Sequence, residues 1–174
     1  MKPVSILFLL CLLAGCHSHK GDGKNAPAAR QATVSPYDSF SVYYSFAGLG
    51  SNLGNMYPVL RVSGLSYRYT REQNSFMGKP DKEPIFIDSG FLRPGSADSI
   101  FSLVKDTRDT LVYRTNTGIL SGGIHTVGVQ WGSRHIRFSL HNAFDTIAGR
   151  IVHILNTNLR PGVDTLFLYE FPED

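Results

Sequence analysis

Gly132-Ser133 separates two alternating runs, Ile124 to Trp131 and Arg134 to Leu140, and this is the feature that most constrains the fold. A glycine-containing pair between two such runs is the signature of a tight β-hairpin. The register then follows: Val129 opposes Ile136 and Val127 opposes Phe138 on an apolar face. Gln130 opposes His135 and Thr126 opposes Ser139 on a polar one. Trp131 meets Arg134 beside the turn, a pairing that predicts a guanidinium lying on an indole.

The same period of two recurs upstream. Phe40, Val42, Tyr44 and Phe46 alternate with Ser41, Tyr43 and Ser45, which predicts a half-buried strand with Tyr43 on its wet side. A glycine-rich stretch, residues 48–54, reads as a loop. Tyr57 to Thr70 reads as a hairpin turning at Ser63-Gly64, with Val62 opposite Leu65 and Leu60 opposite Tyr67. Leu60, Val62, Tyr67 and Tyr69 then share the core face, and Val59, Arg61, Ser66, Arg68 and Thr70 the other. Pro58 predicts an edge or a strand end. Ile85 to Leu92 predicts another strand, bulged near Gly90, and Leu111-Val112-Tyr113 a short one.

Two helices are expected. Pro94-Gly95-Ser96 announces the first, with Ser96 as N-cap and Ala97, Ile100, Phe101 and Val104 as its buried stripe. The second spans about Ala143 to Thr157, capped by Asn142 with Asp145 completing a capping box. Thr165 to Phe171 is a last strand or a docked tail. Together these elements predict an α+β domain over residues 38–174: a mainly antiparallel sheet of about five to six strands with two helices packed on one face.

Ahead of the domain, Lys2 is followed by an apolar run from Val4 to Leu13 and then Ala14-Gly15-Cys16. The run is well short of the roughly 20 apolar residues a membrane-spanning helix needs. Positive start, apolar middle and small residues at the end form the layout of a secretory signal. Leu13-Ala14-Gly15-Cys16 resembles the lipobox of bacterial lipoproteins. The resemblance implies removal of residues 1–15 and lipidation of Cys16. Two or three acyl chains anchor stably, since each buried methylene contributes about 0.8 kcal/mol. His17, rather than Asp, after the cysteine implies the outer membrane, with the periplasmic or surface face left open. The element order over roughly residues 38–160 is also similar to that of small uncharacterised envelope lipoproteins. No activity is established for those, so the likeness carries over no functional residue.

Residues 16–37 are polar and small, a composition that predicts a flexible tether reaching about 25 Å. The formal charge of +3 belongs to the leader and tether. Setting aside Lys2, Lys20, Lys24, Arg30 and Asp22 leaves 13 basic and 13 acidic residues from position 38 onward. A neutral domain argues against nucleic acid as a partner. Both cysteines, Cys11 and Cys16, precede the domain, which must therefore hold together without disulfides.

Motifs for chemistry are sparse. His17-Ser18-His19 lacks the further ligands a zinc site needs, so no metal is expected. Gly48, Gly50 and Gly54 lead into a strand rather than a helix, so no phosphate cradle and no nucleotide cofactor are expected. There is no G-x-S-x-G, and His125, His135, His141 and His153 fall on different elements or faces. What remains is an aromatic beside a loop: Tyr43, Gly48, Leu49, Gly50 and Asn52 are the expected partner contacts. The expectation is a lipid-anchored envelope protein with a non-catalytic binding domain, its partner another envelope protein. The alternatives are an enzyme acting on envelope glycans or peptides and a protective lipoprotein that captures a toxin. A cleft gathering His and carboxylates would favour the enzyme, and a flat patch at Tyr43 would favour binding.

Overall fold

The computed structural model describes residues 35–49, 55–73, 81–108, 110–118 and 122–168, all within one compact unit, Val34–Asp174. The chain runs β1 (Phe40–Leu49), β2 (Met56–Ser63), β3 (Ser66–Gln73), β4 (Ile85–Phe91), α1 (Pro94–Val104), β5 (Leu111–Thr115), β6 (Gly122–Trp131), β7 (Arg134–His141) and α2 (Thr146–Asn156). The strands form one sheet in the order β4-β3-β2-β1-β6-β7-β5. Every pair is antiparallel except β5 with β7. This is the expected α+β class, with seven strands rather than five to six. The short β5 pairs in parallel with a strand distant in sequence, so no turn announces it.

Alternation places Phe40, Val42, Tyr44, Leu60, Val62, Tyr67, Tyr69, Val127, Val129, Ile136, Phe138 and Leu140 in one buried cluster. Ala97, Ile100 and Val104 of α1 and Ala148, Ile151, Val152 and Leu155 of α2 belong to the same cluster. Each such side chain removed from water contributes about 1.5–3 kcal/mol, the main stabilisation open to a domain without disulfides.

The second hairpin has the expected register at every pair, from Trp131↔Arg134 to His125↔Leu140. The first is displaced by two residues: Ser63 pairs with Ser66, Val62 with Tyr67 and Leu60 with Tyr69, so its loop is Gly64-Leu65. Gly64 (φ 59°) and Gly132 (φ 61°) each take the first loop position, which needs the left-handed backbone glycine tolerates. A shift of two keeps every side chain on its face, so the face assignment survives the register error.

Other expectations give way. Gly48 and Leu49 are not loop: they extend β1, pairing with Gly123 and Gly122. Pro58 lies in an interior strand, one residue beyond the last β1–β2 pair, Ser45↔Val59, where its missing N–H has no ladder to serve. The β4 bulge falls at Ile87, between the pairs Tyr69↔Asp88 and Thr70↔Phe86. Gly90 instead makes room for Tyr67, whose ring would lie 2.9 Å from an added Cβ.

The helices start elsewhere than expected. Helix α1 begins at Pro94, with Arg93 as an N-cap that contributes no side-chain bond. The Asn158 Oδ1 accepts the Arg93 N–H at 3.0 Å, so the cap arrives from beyond α2, and Ser96 lies inside the helix. In α2 the cap is Asp145, whose Oδ1 accepts from the Ile147 and Ala148 amides at 2.9 and 3.2 Å. Asn142 closes the β6–β7 end instead: at φ 48° it accepts the Gly123 amide on Oδ1 at 3.0 Å. Arg134 donates to the Thr107 carbonyl, while Tyr37, Phe40 and Phe101 surround the Trp131 indole. Past α2 the chain docks as a tail. Asn156 exchanges two 2.8 Å hydrogen bonds with the Leu166 backbone, and Leu166 is buried.

Candidate functional site: the outward face of the sheet

Tyr43 points away from the buried cluster and is 38% exposed, as its place in the alternation requires. The strand register carries its row across all seven strands: Ser89, Arg68, Arg61, Tyr43, Gly128, Arg137, Leu111. Three guanidiniums and one phenol thus share a line. The row on one side reads Phe91, Ser66, Ser63, Ser41, Gln130, His135. On the other side it reads Phe86, Thr70, Val59, Ser45, Thr126, Ser139, Tyr113. None of the three rows holds a carboxylate.

Local contacts order this face. Arg61 lies over the Tyr43 ring, 5.6 Å from its centroid, and Arg68 over the Phe86 ring at 5.9 Å. Both Arg61 Nη atoms grip Glu72, which reaches in from the end of β3, and Thr70 Oγ1 donates to Glu72 Oε1 at 2.7 Å. The hydrogen bond from Arg61 is the largest influence on Glu72 and holds its carboxyl below the usual range against a smaller opposing effect of burial. Among the described residues neither Arg68 nor Arg137 has a carboxylate at ion-pair distance. A domain neutral in composition therefore segregates its charge, and this face is basic.

The expected partner contacts do not assemble around Tyr43. Gly48 is five residues along β1, about 17 Å away, and an odd spacing puts it on the opposite face. There a Cβ would meet Tyr57 Oη at 2.6 Å, so close packing accounts for that glycine. The Leu49 backbone is paired in the ladder, and Gly50 and Asn52 lie outside the described residues, as do the leader, Cys16 and His17-Ser18-His19.

Two other places gather polar groups. On the inner face His125 is buried between Phe46 and Phe167, with ring centroids at 4.7 and 5.2 Å. Tyr44 Oη is 3.5 Å from its Nδ1. Burial pushes the imidazole down to about 4, so it is neutral at pH 7. Its place opposite Phe46 comes from the β1–β6 pairing, which the sequence did not give, and its burial was not anticipated. Helices α1 and α2 border a groove of about 450 Å³ lined by Asp98, Ser102, Leu103, Arg150, His153 and Ile154. Asp98 accepts from Tyr37 Oη at 3.2 Å. The flanks of two helices offer no unspent backbone amides to stabilise an oxyanion. His135 and His153 are exposed, as expected.

No cluster of three or more metal-ligating side chains occurs among the described residues. No helix among them is long and apolar enough to cross a membrane. No protein-family model matches the chain, and no curated protein matches it.

Proposed function

We propose that this chain is a lipid-anchored envelope protein whose domain binds a partner, without catalysis, on the outward face of its sheet. The anchor is lipid on Cys16, as the lipobox resemblance implies, His17 after it supports the outer membrane, and residues 16–37 are the tether. In this reading both helices cover one face of the sheet and leave the other free. The observation that carries the reading is the Arg68–Arg61–Tyr43–Arg137 row, three guanidiniums against the single carboxylate of Glu72, which Arg61 holds. Like charges set directly opposite each other cost stability, so a row of this kind is better accounted for by a partner than by folding.

Photo-crosslinking in intact cells tests it, with a photoreactive residue at Tyr43 in one strain and at Ser102, in the helical groove, in another. Capture concentrated at Tyr43, and loss of the protein from the membrane fraction on Cys16→Ser, is the expected result. Capture confined to Ser102 overturns the binding face. Retention of Cys16→Ser in the membrane overturns the anchor.

The groove between α1 and α2 favours a second reading, an enzyme, because it brings Asp98, Ser102 and His153 to one place. Loss of a hydrolytic activity on Ser102→Ala, with the fold intact, would establish it.

A further inference from the structure

We infer that residues 163–168 form a pH-released strap: protonation of His125 frees them from the inner face of the sheet while the strands and helices stay folded. The strap lies on the face opposite Tyr43, so the inference stands apart from the outward binding surface.

Geometry couples the strap to the imidazole. The Phe167 ring meets the His125 ring edge-on at 5.2 Å and the Phe46 ring at 5.1 Å. The Tyr44 hydroxyl donates to the Phe167 carbonyl at 2.8 Å and lies 3.5 Å from His125 Nδ1, so one hydroxyl touches both. His125 itself is fully buried. Charging it there sets an ion among aromatic rings, away from bulk water.

Of the walls around the imidazole, the strap is the one that can leave alone. Strands β1 and β6 are paired from Phe40↔Trp131 to Leu49↔Gly122, and α2 gives Ala148, Ile151, Val152 and Leu155 to the core. Residues 163–168 join no strand, and among them only Leu166 is buried. They are held by two hydrogen bonds between Asn156 and the Leu166 backbone, the bond from Tyr44, and an exposed ion pair of Arg71 with Asp164. Segments with few buried contacts open locally, at a fraction of the global unfolding free energy.

Among the described residues the titrating group in contact with His125 is Tyr44 of β1. Tyr57 of β2 lies behind the Phe46 ring, and His141 of β7 follows Leu140, the ladder partner of His125. Asp145 at the start of α2 faces Arg114, His153 of α2 is exposed, and Asp164 of the strap is held by Arg71 of β3. Burial pushes the folded imidazole down to about 4 from the ordinary 6.5. Opening the strap admits water and returns the group toward the ordinary value. Below pH 6.5 the opened form therefore binds the extra proton, docking weakens as the pH falls, and the loss is complete below about 4. Between pH 7 and 4.5 the docking equilibrium shifts about 60-fold.

Amide hydrogen exchange and imidazole NMR on the full chain in detergent test this, with exchange corrected for its intrinsic pH dependence. From pH 7 to 4.5, protection of the Leu166 amide, which donates to Asn156, is expected to fall about 60-fold while β1 and β6 keep theirs. His125→Gln and His125→Phe should each abolish the fall. Asn156→Ala, which removes two of the strap's bonds, should raise the His125 titration toward 6.5. An equal fall in the histidine variants, or none in the native chain, overturns the inference. A fall shared by β1 and β6 overturns it too, since protonation would then unfold the domain instead of freeing the strap. A His125 titration unmoved by Asn156→Ala shows that the strap does not bury the imidazole, and the coupling fails.

Discussion

Arg61 stands directly opposite Arg68 in the β2–β3 ladder, two guanidiniums on adjacent strands of one face. The pair is tolerated because each cation is turned onto a ring, Tyr43 for Arg61 and Phe86 for Arg68, and because Glu72 neutralises the first. Repulsion is reduced rather than removed. Arg68→Thr is therefore expected to raise unfolding free energy by about 0.5 kcal/mol, a β-branched residue replacing a like charge. Urea denaturation of the two proteins measures it, and a loss of stability would show that Arg68 is there for the fold.

Gly128→Ala probes the neighbouring position. The 3.8 Å clearance to Tyr43 Cβ leaves room for the methyl group, and alanine restricts the unfolded chain. The expected change is a gain of about 0.5 kcal/mol. A fall in melting temperature would mean that this buried position has no room for the methyl group.

His125 makes stability depend on pH. Its folded pKa of about 4 lies below the ordinary 6.5, so between those values the unfolded chain binds the extra proton. Stability is complete above pH 6.5, falls as the pH drops, and the loss is fully developed below 4. Between pH 7 and 4.5 this one group should remove about 2 kcal/mol. Urea titrations of the protein and of His125→Phe at both pH values isolate it, because the carboxylates are common to both. Equal losses in the two proteins would contradict the assignment.

Asp88 ties β4 to the turn after α2. It is buried and accepts from Tyr67 Oη at 2.8 Å and from Arg160 Nε at 2.5 Å. Burial opposes its ionisation, yet the bonds from Tyr67 and Arg160 together hold its pKa below the usual value. Burial first, and then the carboxylate, push Tyr67 up to about 12. Asp88→Ala leaves that hydroxyl without its acceptor and should cost about 2 kcal/mol, the outer end of Arg160 remaining solvated. Tyr67→Phe in the Asp88→Ala background should then cost little further, a non-additivity that a double-mutant cycle reads directly.

Asp145→Ala removes the side chain that accepts both the Ile147 and Ala148 amides. Loss of such a cap costs about 1 kcal/mol. Asn142→Ala, by contrast, should leave α2 intact and disturb the Gly123 end of β6. Amide hydrogen exchange in the first turn of α2 distinguishes the two.

Local periodicity was enough to determine which residues of this chain face inward. Phe40 to Phe46, Leu60 to Tyr69 and Val127 to Leu140 alternate as they do in the folded sheet, because a strand's period of two is a property of the backbone itself. The same reasoning carried the faces of both hairpins, though not the register of the first, and the outward position of Tyr43. What it could not reach were the relations between distant segments. The parallel pairing of β5 with β7, the Asn158 cap on α1 and the Asp88–Arg160 tie join residues far apart in the chain, and no local pattern encodes a partner. The candidate site belongs to this second kind. Arg68, Arg61, Tyr43, Gly128 and Arg137 come from five strands, and each alone reads as an ordinary outward residue of an antiparallel sheet. Composition averaged their charge to zero; only the lateral order of the strands, set by which hydrophobic faces pack together, lined the guanidiniums up.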